Sequence, residues 1–516
     1  MWQRQRLIFA IVIISFCHNL AEAYRIFSIN SSPSRSHVIV QEALAKELAR
    51  RGHHVTMVTP FSTAPTLENY REITVPISDE GTSKNCMMTR FVNDQSFWTA
   101  LKNFPAMSAV FNNAVNDTLN HPTVKRILNE EKFDLIIAPV MVDFILGLTQ
   151  LLDAPAVVVC PNSVFGYIND LVGNPSPIAT VPSIMMGLSS PMKFTDRVFN
   201  LAGWVLETTI GWYITRSSEP YYYSNFPSDK FHPYDAARKN VSLLLVNQHF
   251  SKASPRPYVP AVVEVGGLQV KSKPDPLPND LQEWMDGAEH GVIFFSLGTN
   301  IKSSSLPQET LDAVLNTLKK LKQRVIWKWD SHDMPNKPSN VLLRKWLPQD
   351  DILAHKNVRL FITHGGLGGV AEAQYHGIPM VGIPFFGDQR GNLLQVKKAG
   401  WAVMLEFADL TEQTFTEAIK EVLENSSYTS MVKKLSVLYR DRPMTAMDTA
   451  VFWTEYVIRH KGARHMRYSG MDLNFFQLNL LDVWAALGAI VLVIYVAVRI
   501  FKFSCRRKRR LKVKRR

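Results

Sequence analysis

Residues 346–392 bring together side chains that could hold a nucleotide sugar. An apolar run ends in His364-Gly365-Gly366, and a second ends near Asp388-Gln389. A strand followed by glycines and then a helix lets backbone N–H groups and the positive helix end approach a phosphate without a Cβ in the way. Upstream, the indole of Trp346 could stack on a base, and the amide of Gln349 could bond to that base or to a ribose. Glu372 falls six residues into the following helix; Asp388 and Gln389 supply acceptor oxygens and an amide donor of the kind that grips sugar hydroxyls.

A different phosphate motif lies in the same segment. Gly366-Leu367-Gly368-Gly369-Val370-Ala371 also reads as G-x-G-x-x-A, with Asp388 about 20 residues further on. Alone it would point to a dinucleotide-dependent oxidoreductase. That fingerprint normally follows the first strand of its domain, and it requires neither the histidine nor the Trp-Gln pair ahead of it here.

Near the other end of the chain, His37 closes the first strand-to-helix loop, where strand-end residues of an open parallel sheet face the crevice. A histidine there could serve as a base near neutral pH.

The order W-x-x-Q, H-G-G, E, D-Q, N across 346–392 resembles the signature of the UDP-glycosyltransferases, with a pattern closest to invertebrate members. The resemblance implies a GT-B architecture, α/β with two facing Rossmann-like domains, in which the C-terminal domain binds the nucleotide sugar and the N-terminal one the acceptor. It carries a base histidine to His37, after the short polar run Ser34-Arg35-Ser36. Relatives place an orienting aspartate just after the strand-end alanine; this chain has Pro139 there, and Asp143 four residues on is expected to take the role. Ser296, Gly298 and Thr299 match a strand-end S-L-G-S/T, and Asn392 matches the asparagine after D-Q. Lys328 stands where many relatives have arginine, and Gly368 replaces a phosphate-contacting asparagine or serine. The donor site is thus expected to comprise Ser296, Gly298, Thr299, Trp346, Gln349, His364, Gly365, Gly366, Glu372, Asp388, Gln389 and Asn392.

The implied reaction is inverting, metal-independent transfer of a hexose, with glucose the expected sugar. UDP-sugar is the co-substrate; no other cofactor and no metal site are expected. A non-catalytic lipid-binding or partner protein retaining the fold is the alternative, favoured only by Pro139 and Gly368. Aromatics from Phe165 through Phe194, Phe199, Trp204, Trp212 and Tyr213 to Tyr221-Tyr222-Tyr223 favour a planar lipophilic phenol or alcohol as acceptor.

The elements that must position these groups read as two βα halves. Strands are expected at 24–30, 55–59, 135–138 and 156–160, and again at 292–297, 325–329, 360–363 and 380–383. A helix carries Val40, Leu44 and Leu48 and stops at Gly52. The expected division is a signal peptide at 1–23, an acceptor domain at 24–265 and a UDP-sugar domain at 266–440. A crossing-back helix and membrane-proximal segment follow at 441–482, then a transmembrane helix at 483–501 and a basic tail at 502–516.

Arg4 and Arg6 ahead of the apolar stretch 7–16, with Ala21-Glu22-Ala23 after it, fit a cleavable signal. The net charge of +13 is lopsided: residues 499–516 hold eleven Lys and Arg and no acid, and the signal adds +1, so the rest carries +1. A nucleic-acid footprint is excluded on that ground. The positive-inside rule puts the tail in the cytoplasm and the domains in the lumen, as a single-pass type I protein. Lysines third and fifth from the end resemble an endoplasmic reticulum retrieval signal. Cys86 and Cys160 allow one lumenal disulfide, and sequons stand at Asn30, Asn116, Asn240 and Asn425. A homo-oligomer is compatible with this reading.

Overall fold

In the computed structural model, residues 23–63, 67–77, 97–164, 166–188, 190–252, 255–331, 334 and 336–513 are described. The signal segment up to residue 22, Cys86, Phe165 and the last three residues therefore lie outside the described residues, and so do the expectations that rest on them.

The first sheet is wholly parallel. Its strands are β1 (Arg25–Ile29), β2 (His54–Thr59), β3 (Tyr70–Thr74), β4 (Leu135–Pro139), β5 (Ala156–Cys160), β6 (Leu243–Val246) and β7 (Val262–Glu264), in the order β3-β2-β1-β4-β5-β6-β7. Apolar runs such as Ala-Val-Val-Val-Cys form β5 because helices cover both faces, so every residue of it is buried. The second sheet, also parallel, comprises β8 (Val292–Ser296), β9 (Arg324–Lys328), β10 (Val341–Arg344), β11 (Val358–Thr363), β12 (Met380–Gly382) and β13 (Ala402–Met404), ordered β10-β9-β8-β11-β12-β13. Both sheets are doubly wound. Each reverses its winding between two central strands, β1/β4 and β8/β11, and ligand crevices of such sheets open at the carboxyl ends of those strands.

The sequence placed eight of these strands and left out five. β3, β10 and β13 are edge strands or lie next to an edge, with mixed burial, and β6 and β7 are only four and three residues long. Short or half-exposed strands carry too little apolar periodicity to stand out.

Seven helices matter for the site. These are α1 (Arg35–Arg50), α2 (Phe97–Asn120), α3 (Phe194–Asn225), α4 (Gln349–Leu353), α5 (Leu367–His376), α6 (Gln389–Lys398) and α7 (Ala446–Arg459). α7 follows the second sheet in sequence but packs on the first. Its Ala450, Val451, Val457 and Ile458 share one buried cluster with Ile26, Val55, Leu135 and Leu243. His53 Nε2 on the first sheet meets Glu455 of α7 at 3.2 Å, and Arg51 pairs with Asp448.

Residues 467–516 form a separate unit. It contains α8 (Leu481–Val513), whose stretch Leu481–Arg506 has a mean hydropathy of 2.4 and none of its apolar window buried. Among the described residues, this is the one helix long and apolar enough to cross a membrane.

Candidate active site

The loop after β1 is built by its own hydroxyls and amides. Asn30 Oδ1 accepts from Ser32 N, Ser32 Oγ accepts from Ser34 N, and α1 begins directly after Ser34. Asn30 Nδ2 donates to Gln41 Oε1 at 3.0 Å, and Gln41 in turn donates to Ser28 Oγ and to the Ile137 carbonyl on β4. This polar lattice holds the first turn of α1, where His37 sits half-buried with Nδ1 3.4 Å from Ser32 Oγ. Phe111 of α2 stacks toward its ring, with centroids 6.4 Å apart. Asn30, at one of the four sequons, is 1% exposed and its amide bonds Gln41.

Asp143, expected to orient the base, has partners of its own in the structure. Its carboxylate accepts from Arg238 Nε at 2.8 Å and from the Tyr234 hydroxyl, all three side chains being buried inside the first domain. Both oxygens are thereby engaged. The ion pair compensates a charge that the interior would otherwise expel, which is the role of a structural carboxylate.

The second site forms where β8 and β11 end side by side, Ser296 being in register with Thr363. Ser296 Oγ accepts from Gly298 N, and the chain turns at Gly298 with φ +84°. A Cβ there would stand 2.5 Å from the His364 ring, so glycine is needed for the two strand ends to meet. Gly365, at φ +81°, would likewise drive a Cβ to 2.4 Å from Leu393. Gly366 stands at the N-cap of α5 without a side-chain cap, so the first N–H groups of the helix have no intrahelical partner. His364 lies deep there but still meets solvent; burial, and next the Lys328 ammonium, push its pKa down to about 4. It is a neutral hydrogen-bonding group at physiological pH. Thr299 Oγ1 is buried without a partner.

Lys328 donates to the Gly298 carbonyl at 2.8 Å, and burial, with Arg35 second, lowers its pKa to about 8. Its ammonium lies 4.7 Å from the centre of the Trp346 ring, and Arg35 of α1 lies 4.9 Å from the same centre. The indole expected to stack on a base is here in contact with two cations. Across the crevice, Asn300 Nδ2 donates to Ser34 Oγ at 3.0 Å, so the β1 and β8 loops touch.

Gln349 of α4 donates to Glu372 of α5, and Gln269 reaches the other carboxyl oxygen at 3.4 Å. Burial, reinforced by Asp350, raises the Glu372 pKa to about 8. At the next strand end, Asn392 Nδ2 bridges the Gly365 carbonyl at 3.1 Å and Asp388 Oδ2 at 2.9 Å. Gln389 spends its oxygen on the Phe385 and Phe386 N–H groups, leaving its amide as a donor. Burial also raises the pKa of Asp388.

The twelve residues expected at the donor site therefore gather on neighbouring strand ends of the second sheet and the helices that follow. Sequence reasoning missed Lys252 and Arg256, which come from the first domain. Arg256 lines one cavity with Asp388 and Asn392, and the Lys252 ammonium is within electrostatic reach of Asp388, burial lowering its pKa to about 7. Their loop has no periodicity and no motif that would have singled them out. The aromatic cluster on α3 fared differently: Phe194, Phe199 and Trp212 are 73%, 62% and 62% exposed, while Tyr222 is fully buried against Phe226 and Tyr234. Cys160 is buried as a free thiol, its pKa pushed up to about 12 by burial.

Comparison with known proteins agrees with this geometry. Residues 29–515 match the family described as "UDP-glucoronosyl and UDP-glucosyl transferase". UDP-glucosyltransferase 2 of Dactylopius coccus is 39% identical over 472 residues, covering 90% of this chain and 89% of that protein. Human UDP-glucuronosyltransferase 2B15 is 32% identical over 496 residues, with 92% of each chain covered. Among solved structures, the glycotransferase of kitacinnamycin superposes with a TM-score of 0.55 at 17% identity, covering 85% of this chain and all of that one. The calicheamicin glycosyltransferase CalG4 gives 0.53 at 16%, covering 85% and 99%. With two doubly wound parallel sheets whose strand ends face a shared crevice, a GT-B fold and a family match over nearly its whole length, the chain belongs to the UDP-glucoronosyl and UDP-glucosyl transferase family and is a UDP-glycosyltransferase.

Proposed function

We propose that this enzyme transfers glucose from UDP-glucose to a hydroxyl of a small lipophilic acceptor, with inversion at the anomeric carbon and without a metal ion. The observation that carries the reading is the opposition of His37, on the β1 loop, to the His364-Gly365-Gly366 turn and α5, on the β11 loop, across one crevice that Ser34 and Asn300 close. His37 takes the acceptor proton as the hydroxyl oxygen bonds to C1, while the bond from C1 to the UDP oxygen breaks on the opposite face. The open N–H groups of α5, the neutral His364 and the nearby Lys328 ammonium stabilise the departing diphosphate. Gln349 and Glu372 serve the ribose, and Asp388 and Gln389 serve the hexose hydroxyls. A neutral hexose suits a pocket in which burial holds the Asp388 carboxyl above its ordinary pKa. The name of the 39% identical relative supports glucose over glucuronate.

The test is an assay of the full chain in detergent with UDP-glucose, UDP-glucuronate and UDP-N-acetylglucosamine against a phenol panel, with and without EDTA. Turnover should be highest with UDP-glucose, unaffected by EDTA, and yield the β-glucoside. A preference for UDP-glucuronate, or loss of turnover in EDTA, would overturn the corresponding part.

A further inference from the structure

α3 is built inside out over its first half. Its buried stripe is Asn200, Gly203, Glu207 and Gly211, all polar or small, while its larger apolar side chains point outward. Such a stripe supplies almost no hydrophobic burial, so what it holds must be held by hydrogen bonds. Asn200, Gly203 and Glu207 hold the loop 178–187, while Gly211 seats Tyr167 and Glu207 also accepts from the Gly166 backbone. Asn200 Nδ2 donates to the carbonyls of Ile178 at 2.7 Å and Val181 at 2.9 Å, and its Oδ1 accepts from Ser183 N at 2.7 Å. Glu207, seven residues on and on the same face, accepts from Ile184 N at 2.9 Å and from the Ser183 hydroxyl. Gly203 lies between them, and a Cβ there would stand 2.8 Å from the Ser183 side chain. The helix face is cut to seat this loop.

The loop's far side rests on the other domain. The Ile184 carbonyl lies 2.9 Å from where a Cβ on Gly391 would be, and Gly187, at φ +60°, packs on Leu394; both partners are on α6. Glycines stand at both contacts, so the loop approaches α6 as closely as backbone allows. Pro182 and Ile184 of the loop wall the same cavity as Asp388 and Asn392.

We propose that Asn200 and Glu207 are positioning residues that hold the loop 178–187 as a wall of the donor-sugar pocket, so that recognition of the hexose depends on the first domain. The inference rests on Asp388 serving the hexose. The uridine and diphosphate contacts lie on other strand ends, and the wall therefore acts on the sugar alone.

Binding of UDP and of UDP-glucose is measured separately by calorimetry on the full chain in detergent. Glu207→Ala should weaken UDP-glucose roughly tenfold, the effect of one to two lost hydrogen bonds, and leave UDP within about twofold. Glu207→Gln, which keeps an acceptor oxygen, should recover most of the loss. Ser183→Ala shortens the same tether without touching α3 and should move UDP-glucose in the same direction, which keeps the proposal testable if Glu207→Ala does not fold. Equal weakening of UDP and UDP-glucose, or no change in a folded variant, would overturn it. Asp388→Ala separates the two layers. If it weakens UDP-glucose while the loop variants do not, only the wall is wrong; if it leaves UDP-glucose unchanged, the reading of Asp388 fails and the wall falls with it.

Discussion

At the scale of single residues, the two histidines of the crevice are made different by their surroundings. His364 is kept neutral by burial and by Lys328, whereas His37 keeps a hydroxyl partner and an aromatic neighbour at the mouth of a loop. The sequence offered both as candidates, His37 from its place in the first strand-to-helix loop and His364 from the two glycines that follow it. Asp143 was not legible in the same way. A carboxylate near a strand end looks identical whether it orients a base or balances Arg238, and only the placement of Tyr234 and Arg238, ninety residues on, decides it. The two roles predict different damage. His37→Ala should lower turnover by about 10²-fold or more with UDP-glucose affinity near normal. Asp143→Asn should instead destabilise the first domain by roughly 3 kcal/mol, the effect of leaving Arg238 buried without its counter-charge, and whatever folds should retain turnover far above His37→Ala. Thermal melts and turnover per folded molecule measure both; an Asp143→Asn protein that melts normally but is inactive would restore it to the catalytic apparatus.

At the scale of elements, long buried strands and glycine-bounded turns could be read because they obey local rules, and contacts between elements could not. The tie between α4 and α5 is an example: Gln349 bonds Glu372, and Asp350 bonds His376 at 2.6 Å, although the two helices are separated in sequence by all of β11. Glu372 holds its proton up to about pH 8 in the folded chain, against an ordinary value of 4.5. Between those values the folded state binds a proton that the unfolded state has released. Its contribution to stability is therefore full below about pH 4.5 and is lost progressively as pH rises toward 8. Glu372→Gln keeps the shape and removes the titration, so the melting temperature of the variant should fall less between pH 6 and pH 8 than that of the parent. Parallel pH dependence in the two proteins would show that Glu372 is ionised at neutral pH after all.

At the scale of the whole molecule, the chain divides its charge as sharply as its structure. The basic residues concentrate beyond residue 499, at the end of α8, while the two sheets carry almost no net charge. By the positive-inside rule the prediction is that the basic tail faces the cytoplasm and the catalytic domains the lumen. The fold sharpens what that topology should produce, because the sequons are not equivalent: Asn30 is locked in the β1 loop, whereas Asn240 and Asn425 are exposed. In sealed microsomes, protease should trim only the basic tail, and the protected domains should carry glycans removable by endoglycosidase. Asn240→Gln and Asn425→Gln should each remove a glycan from the wild-type pattern. Asn30→Gln should leave the glycan number unchanged and instead lower turnover, since its amide holds the loop that carries His37. Digestion of the domains without detergent would reverse the orientation. A glycan lost on Asn30→Gln would mean that the loop is modified before it folds, and that the lattice around His37 forms around a sugar-bearing asparagine.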